Sequence, residues 1–213
     1  MKQKLIVFST GLTILSAVAF MGCSQEDGLL TGDDLSINSQ VPKRRAPSEQ
    51  WINTRNENPN DKFNYEDNEC CLVALVETKQ QILGGHFTAG YTAQKFYDKV
   101  KGDAMDKENE DGTPRYTGGA MDLDLFMELG KENNLFDERK NFTNDVEKRE
   151  FFLDRNNKPK VMKIDILLDK KTGQTALHVA HIKNIDREKG TVSYTIGKDY
   201  KTISINEVKA VWM

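Results

Sequence analysis

The sequence has 213 residues, of which 30% are charged, and its formal net charge is −3 at pH 7. A chain of this length fits one domain with a single core, together with a short leader or tail. Because basic residues are not in excess, the composition argues against the electrostatic footprint of a nucleic-acid-binding protein.

The N-terminus predicts a secretory signal. Residues 1–4 are basic, residues 5–21 are almost wholly apolar, and Gly22 and Cys23 follow. The apolar core is short for a membrane span, so we predict that residues 1–22 are removed as a signal peptide. The Gly-Cys ending resembles the lipobox of bacterial lipoproteins, which implies a lipid on Cys23 as the only membrane contact. The alternative is an ordinary cleaved signal with an incidental cysteine.

Residues 23–50 predict a flexible tether, because they are rich in Gly, Pro and charge and have almost no periodic apolar content. The acidic stretch at residues 24–27 resembles the tag that sends some Bacteroidetes lipoproteins to the cell surface. We therefore expect a lipid-anchored protein of the outer membrane, on the cell surface or otherwise on the periplasmic face. Residues 51–213 form the predicted domain.

The first half of this domain predicts helices. Asp67 or Asn68 can cap the first helix, which Gly84 and Gly85 end, and Thr92 can cap the second. The predicted helices cover residues 68–83, 92–100 and 121–130, with a polar loop at 101–116.

The second half predicts strands. Apolar residues alternate with polar ones, and short turns join the segments, which indicates hairpins and an antiparallel sheet. The predicted strands cover residues 162–168, 175–185, 191–196 and 200–205. Helices followed by strands indicate an α+β fold.

Cys70 and Cys71 are adjacent at the predicted start of the first helix. Neighbouring Cα atoms lie about 3.8 Å apart, which is too close for a relaxed disulfide between the two. A thiol in the first turn of a helix has a lowered pKa, which favours the reactive thiolate. The alternative is that both cysteines are buried as small hydrophobic residues.

Two histidines lie on one predicted strand. His178 shares the parity of Ala176 and Ala180, which indicates the inner face, whereas His181 has the opposite parity and is expected nearer solvent. At most one of them can therefore meet the thiol. His86 is expected in a loop. The spacing does not fit a zinc pair, and we predict neither a metal nor a cofactor.

The order of these motifs resembles the papain superfamily, and more narrowly the bacteriocin-leader-processing peptidases and their stand-alone relatives. The matching segments are Cys70-Cys71-Leu72-Val73-Ala74-Leu75, Thr117-Gly118-Gly119-Ala120-Met121 and His178-Val179-Ala180-His181-Ile182. The resemblance covers roughly residues 60–213. It implies a papain-like fold, in which N-terminal helices with a Cys-headed central helix pack on a C-terminal antiparallel sheet.

The resemblance also implies roles for single residues. Cys70 would be the nucleophile, with Cys71 as the alternative, and His178 would be the base. Asn64 stands six residues before Cys70, where the family has its oxyanion-hole glutamine. Thr195 lies in the stretch where the family has the carboxylate that orients the histidine, and that stretch has no Asp or Glu.

These residues support two main hypotheses. The first is a cysteine peptidase that cleaves peptide or amide bonds through the Cys-His pair. The alternative is a catalytically inactive relative that binds peptides or a protein partner, which the missing carboxylate favours. A transglutaminase-like acyl transfer would use the same pair. In each case the expected partner is a peptide or protein.

Overall fold

The computed structural model describes residues 58–66, 68–169, 172–196 and 199–213. The predicted signal peptide and tether, with Cys23, lie outside these residues.

The described part has an α+β architecture, as predicted. The helices are α1 (Cys70–Ile82), α2 (Ala93–Met105), α3 (Leu123–Glu132) and α4 (Asp145–Leu153). The strands are β1 (Arg139–Asn141), β2 (Val161–Asp169), β3 (Gln174–His181), β4 (Asn184–Asp186), β5 (Thr191–Ile196), β6 (Asp199–Ser204) and β7 (Ala210–Trp212). Short 3-10 helices cover Pro59–Asp61 and Ile205–Glu207.

The helix starts follow the capping signals only in part. Thr92 caps α2 as predicted, because its hydroxyl accepts a hydrogen bond from the Lys95 N–H. Helix α1 begins at Cys70, but its N-cap residue is Glu69 and makes no side-chain capping bond. Asn68 instead has a left-handed backbone with φ of 74°, a conformation that Asn tolerates better than most residues.

Helix α2 runs further than predicted. The loop was expected to begin at residue 101, but the helix continues to Met105. Phe96, Val100 and Ala104 are buried at intervals of four residues, so the apolar face extends one turn beyond the predicted end. The prediction gave too much weight to Gly102.

The strands form two antiparallel sheets rather than one run of hairpins. The first sheet has the order β1-β7-β2-β3, and the second has the order β4-β5-β6. The strand predicted at residues 175–185 is broken at Ile182 and Lys183, where the chain crosses from β3 in the first sheet to β4 in the second. Strands β1 and β7 and helix α4 were not predicted.

Two hydrophobic clusters fill the domain. The first joins α1, α2 and α3 to one face of the first sheet, through Val179 and Trp212 among others. The second joins α4, the opposite face of the first sheet and the second sheet, and it contains Ala180 and Tyr194. The first sheet is therefore covered on both faces, with α1 directly against β3.

Candidate functional site

A cavity lies between α1, β3 and β5, and its empty space is about 410 Å³ when the open solvent at its mouth is included. It is lined by Tyr65, Glu66, Asn68, Glu69, Cys70, Val73, Ala74, Glu77, His178, Val179, Ala180, Thr195 and Ile196. Three of the residues singled out from the sequence therefore meet at one place: Cys70, His178 and Thr195. The cavity lies at the N-terminal end of α1, which favours negative charge.

The two cysteines differ in state. Cys70 is disulfide-bonded, whereas Cys71 is free and buried. Burial, followed by the nearby Asp122 charge, raises the pKa of the Cys71 thiol to about 12. Cys71 is thus an inert thiol near neutral pH. A sulfur in a disulfide is not a nucleophile either, so Cys70 becomes one only when reduced.

His178 lies in a dry environment. Its side chain is 6% exposed, and its ring centroid is 6.2 Å from that of Tyr194. In the pleat of β3 it shares its side with Ala180, which belongs to the second cluster, whereas Val179 belongs to the cluster around α1. Burial lowers the pKa of His178 to about 4. The imidazole is therefore neutral at pH 7.

This burial predicts acid sensitivity. The folded-state pKa of about 4 lies below the usual 6.5, so the unfolded chain binds more protons between these values and the free energy of unfolding falls as pH falls. For His178 alone the loss reaches roughly 3 kcal/mol at the acid end. Urea titrations at pH 7 and pH 4.5 measure it. In His178→Gln the difference between the two pH values should shrink, and an unchanged difference would contradict this origin.

His181 does not lie nearer solvent, so that prediction was wrong. It is 2% exposed, and its Nδ1 lies 3.2 Å from the Thr78 hydroxyl of α1. Thr78 already donates its proton to the Ala74 carbonyl at 2.7 Å, so the hydroxyl accepts from the imidazole N–H. Burial holds the pKa of His181 well below its usual value. The error arose because a sheet covered on both faces has no solvent-facing side, so residues of either parity are buried.

Asn64 stands apart from the cavity. The residue is exposed, its backbone N–H donates to Gln94 Oε1 at 2.7 Å, and it is not among the described residues that line the cavity. The amide side chain nearest to Cys70 in the lining is that of Asn68. Its Oδ1 is buried and has no hydrogen-bond partner in the described part of the chain.

Sequence reasoning missed a carboxylate in the cavity. Glu77 of α1 is 2% exposed. It accepts a hydrogen bond from the Thr195 hydroxyl at 2.9 Å and forms an ion pair with Lys183 Nζ at 2.7 Å. Thr195 is therefore hydrogen-bonded to a carboxylate and does not take the place of one. Helical spacing was an available signal, because Cys70, Ala74 and Glu77 recur on one side of α1.

A second buried carboxylate lies beside Cys70. The Glu69 side chain accepts hydrogen bonds from the Tyr97 and Tyr116 hydroxyls, and Lys101 Nζ lies 2.9 Å from it. Burial first, and then Glu69, raises the pKa of both tyrosines. These donors satisfy Glu69, so it serves chiefly to fix the first turn of α1 against α2.

The described residues include no group of three His, Cys, Asp or Glu side chains suited to a metal ion. Within the same ranges, no helix is both long and apolar enough to cross a bilayer.

The fold and cavity define an α+β domain with a Cys-headed helix packed on an antiparallel sheet. The chain matches no protein-family model, and neither a curated protein nor a solved structure matches it.

Proposed function

We propose that the chain is an exported lipoprotein, anchored through Cys23 to the outer membrane, whose papain-like domain binds a peptide segment of a protein partner without cleaving it. The papain-like assignment is supported by a helix that begins at Cys70 and packs against the antiparallel strand that carries His178. The domain would then present its cavity on the cell surface or at the periplasmic face.

The observation that carries the choice of a binding protein is the burial of His178. With its pKa lowered to about 4, the neutral imidazole supplies no positive charge to hold a Cys70 thiolate. The amide at position 64, expected to hold an oxyanion, lies outside the cavity lining. Two parts of a peptidase site are therefore weak.

A cysteine peptidase is the second candidate, favoured by the meeting of Cys70, His178 and Thr195 in one cavity. Lipidation of Cys23 affects this hypothesis directly, because it decides which cysteine Cys70 can pair with. The chain has three cysteines, and a thioether-linked lipid on Cys23 would leave Cys70 only its neighbour Cys71 as an intramolecular partner, which is geometrically poor. The lipidated protein is thus the form in which Cys70 is a thiol, and it is the form to test.

We expect Cys70 in the reduced, lipidated protein to react with iodoacetamide at pH 6–7 no faster than a free thiol, and Cys71 to react more slowly still, because its pKa is about 12. Mass spectrometry of timed samples measures both rates and the lipid on Cys23. Faster labelling of Cys70, together with peptide cleavage that Cys70→Ala abolishes, would refute the binding protein and support the peptidase. An unlipidated Cys23 would remove the anchor from the proposal.

A further inference from the structure

A second cavity lies where the turn between β4 and β5 meets the segment between α4 and β2. Its volume is about 440 Å³, within the range of small-ligand sites, roughly 300–1,000 Å³. The residues that line this arginine groove are Arg155, Asn184, Ile185, Asp186, Arg187 and Glu188. Residues at the other end of β5 line the Cys70 cavity, so the two cavities lie at opposite ends of that strand.

One wall of the arginine groove is a tight turn that carries Arg155. The Asn157 N–H donates to the Asp154 carbonyl at 3.2 Å, and the Asn156 N–H donates to the Asp154 side chain at 2.9 Å. Asn157 Nδ2 donates to the Phe151 carbonyl in α4 at 2.9 Å. Because side-chain hydrogen bonds of this kind fix the backbone of a turn, the backbone that carries Arg155 is held in place at the groove.

The opposite wall is the turn between β4 and β5, which carries Arg187. Asp186 Oδ1 accepts a hydrogen bond from the Lys189 N–H at 3.0 Å, and Asp186 Oδ2 lies 3.3 Å from Lys189 Nζ. Arg187 Nη2 donates to the Asn157 carbonyl at 3.3 Å, which joins the two walls. The Asp186 charge is therefore already paired with Lys189, and Arg187 is held across the groove.

The two guanidinium groups have no anionic partner in the part of the chain that the structure describes, although Glu188 lines the same groove. Arg187 uses one of its five N–H donors on Asn157. Its Nε is buried, so only its terminal nitrogens can contact a ligand, whereas the Arg155 side chain belongs to an exposed residue. Residues 154–158 and 184–189 together contain four Lys or Arg and three Asp or Glu, so the groove region has a positive charge in excess.

We propose that the arginine groove binds an oxyanion, a carboxylate or phosphate group of a small ligand, between Arg155 and the terminal nitrogens of Arg187. The planar guanidinium matches both kinds of oxyanion and binds them through parallel N–H···O bonds. The ligand also relieves the repulsion between two like charges that line one groove. This site is separate from the proposed peptide-binding cavity, and neither proposal depends on the other.

The test is an NMR titration of the isotope-labelled full mature chain with inorganic phosphate and with succinate, at an ionic strength held constant with sodium chloride. The amide signals of residues 155–157 and 184–188 should shift and saturate with at least one probe. Arg155→Gln should weaken this binding roughly three- to tenfold. Arg149→Gln is the matched control, because it removes the same charge from an exposed residue of α4 outside the groove, and it should stay within about twofold.

Arg187→Lys tests the geometry of the contact, because it keeps the positive charge and removes the planar fork. It should weaken binding at least twofold, while unchanged signals from the rest of the domain show that the fold is intact. Saturation by phosphate alone would support a phosphate ligand, and saturation by succinate alone would support a carboxylate. Shifts that never saturate with either probe would overturn the site. Binding that neither Arg155→Gln nor Arg187→Lys weakens would place the anion elsewhere and would also overturn it.

Discussion

Glu77→Ala should lower the free energy of unfolding by about 3–5 kcal/mol, the usual cost of removing one partner of a buried ion pair. Glu77 is 2% exposed, and the Lys183 side chain, 18% exposed, loses its carboxylate. Thr195 loses the acceptor of its hydroxyl at the same time. One substitution thus weakens the contact of α1 with β5 and with the segment that crosses from β3 to β4. Urea titration at pH 7 gives the value.

Two further variants bracket this effect. Glu77→Gln keeps an oxygen for Thr195 but removes the charge, so it should fall between wild type and Glu77→Ala. Gln81→Ala alters an exposed residue of the same helix and should change stability by less than about 0.5 kcal/mol. A Glu77→Ala protein as stable as Gln81→Ala would mean that the ion pair contributes nothing.

Trp212→Ala should lower the free energy of unfolding by about 3–5 kcal/mol, as large-to-small changes of buried aromatic residues do. Trp212 is fully buried in β7. Its ring meets Phe126 edge-to-face at 5.1 Å, and the Arg139 guanidinium lies 5.5 Å from the ring centroid. The ring thus joins α3 to the first sheet, and its loss leaves a cavity beneath that helix.

Thermal and urea unfolding measure the loss, and Leu153→Ala is the matched control. Leu153 ends α4 and is 56% exposed, so its truncation should cost well under 1 kcal/mol. If Trp212→Ala unfolds with the same midpoint as Leu153→Ala, then Trp212 is not part of a packed core in solution.

The sequence predicted the elements whose signals are local. The Thr92 cap of α2 and the strand around His178 follow from a capping residue and from alternation, whereas α1 begins at Cys70 without a side-chain cap. Helix α4 was not predicted because an apolar residue is exposed and a charged residue is buried, which reverses the usual pattern of an amphipathic helix. Val146 is 66% exposed, whereas Lys148 is buried, with its ammonium on the Asn206 carbonyl at 2.6 Å.

The candidate site was predictable only where residues stand on a recognisable motif. Cys70, His178 and Thr195 meet in the cavity, but the role of Glu77 depends on a contact with Thr195 across 118 residues. Helical spacing from Cys70 places Glu77 on the same side of α1, but it does not show the partner that gives this carboxylate its role. Asn64 was chosen by counting back from Cys70, and it is not among the described residues that line the cavity.

Strand β7 lies inside the first sheet, between β1 and β2. Its register pairs Trp212 with Arg139 on one side and with Val161 on the other. A chain that emerges N-terminus first, from a ribosome or a secretion channel, therefore cannot close this sheet until residue 212 has emerged. Until then the edges of β1 and β2 are open to pairing with other chains, so a stall before β7 has emerged would expose the domain to aggregation.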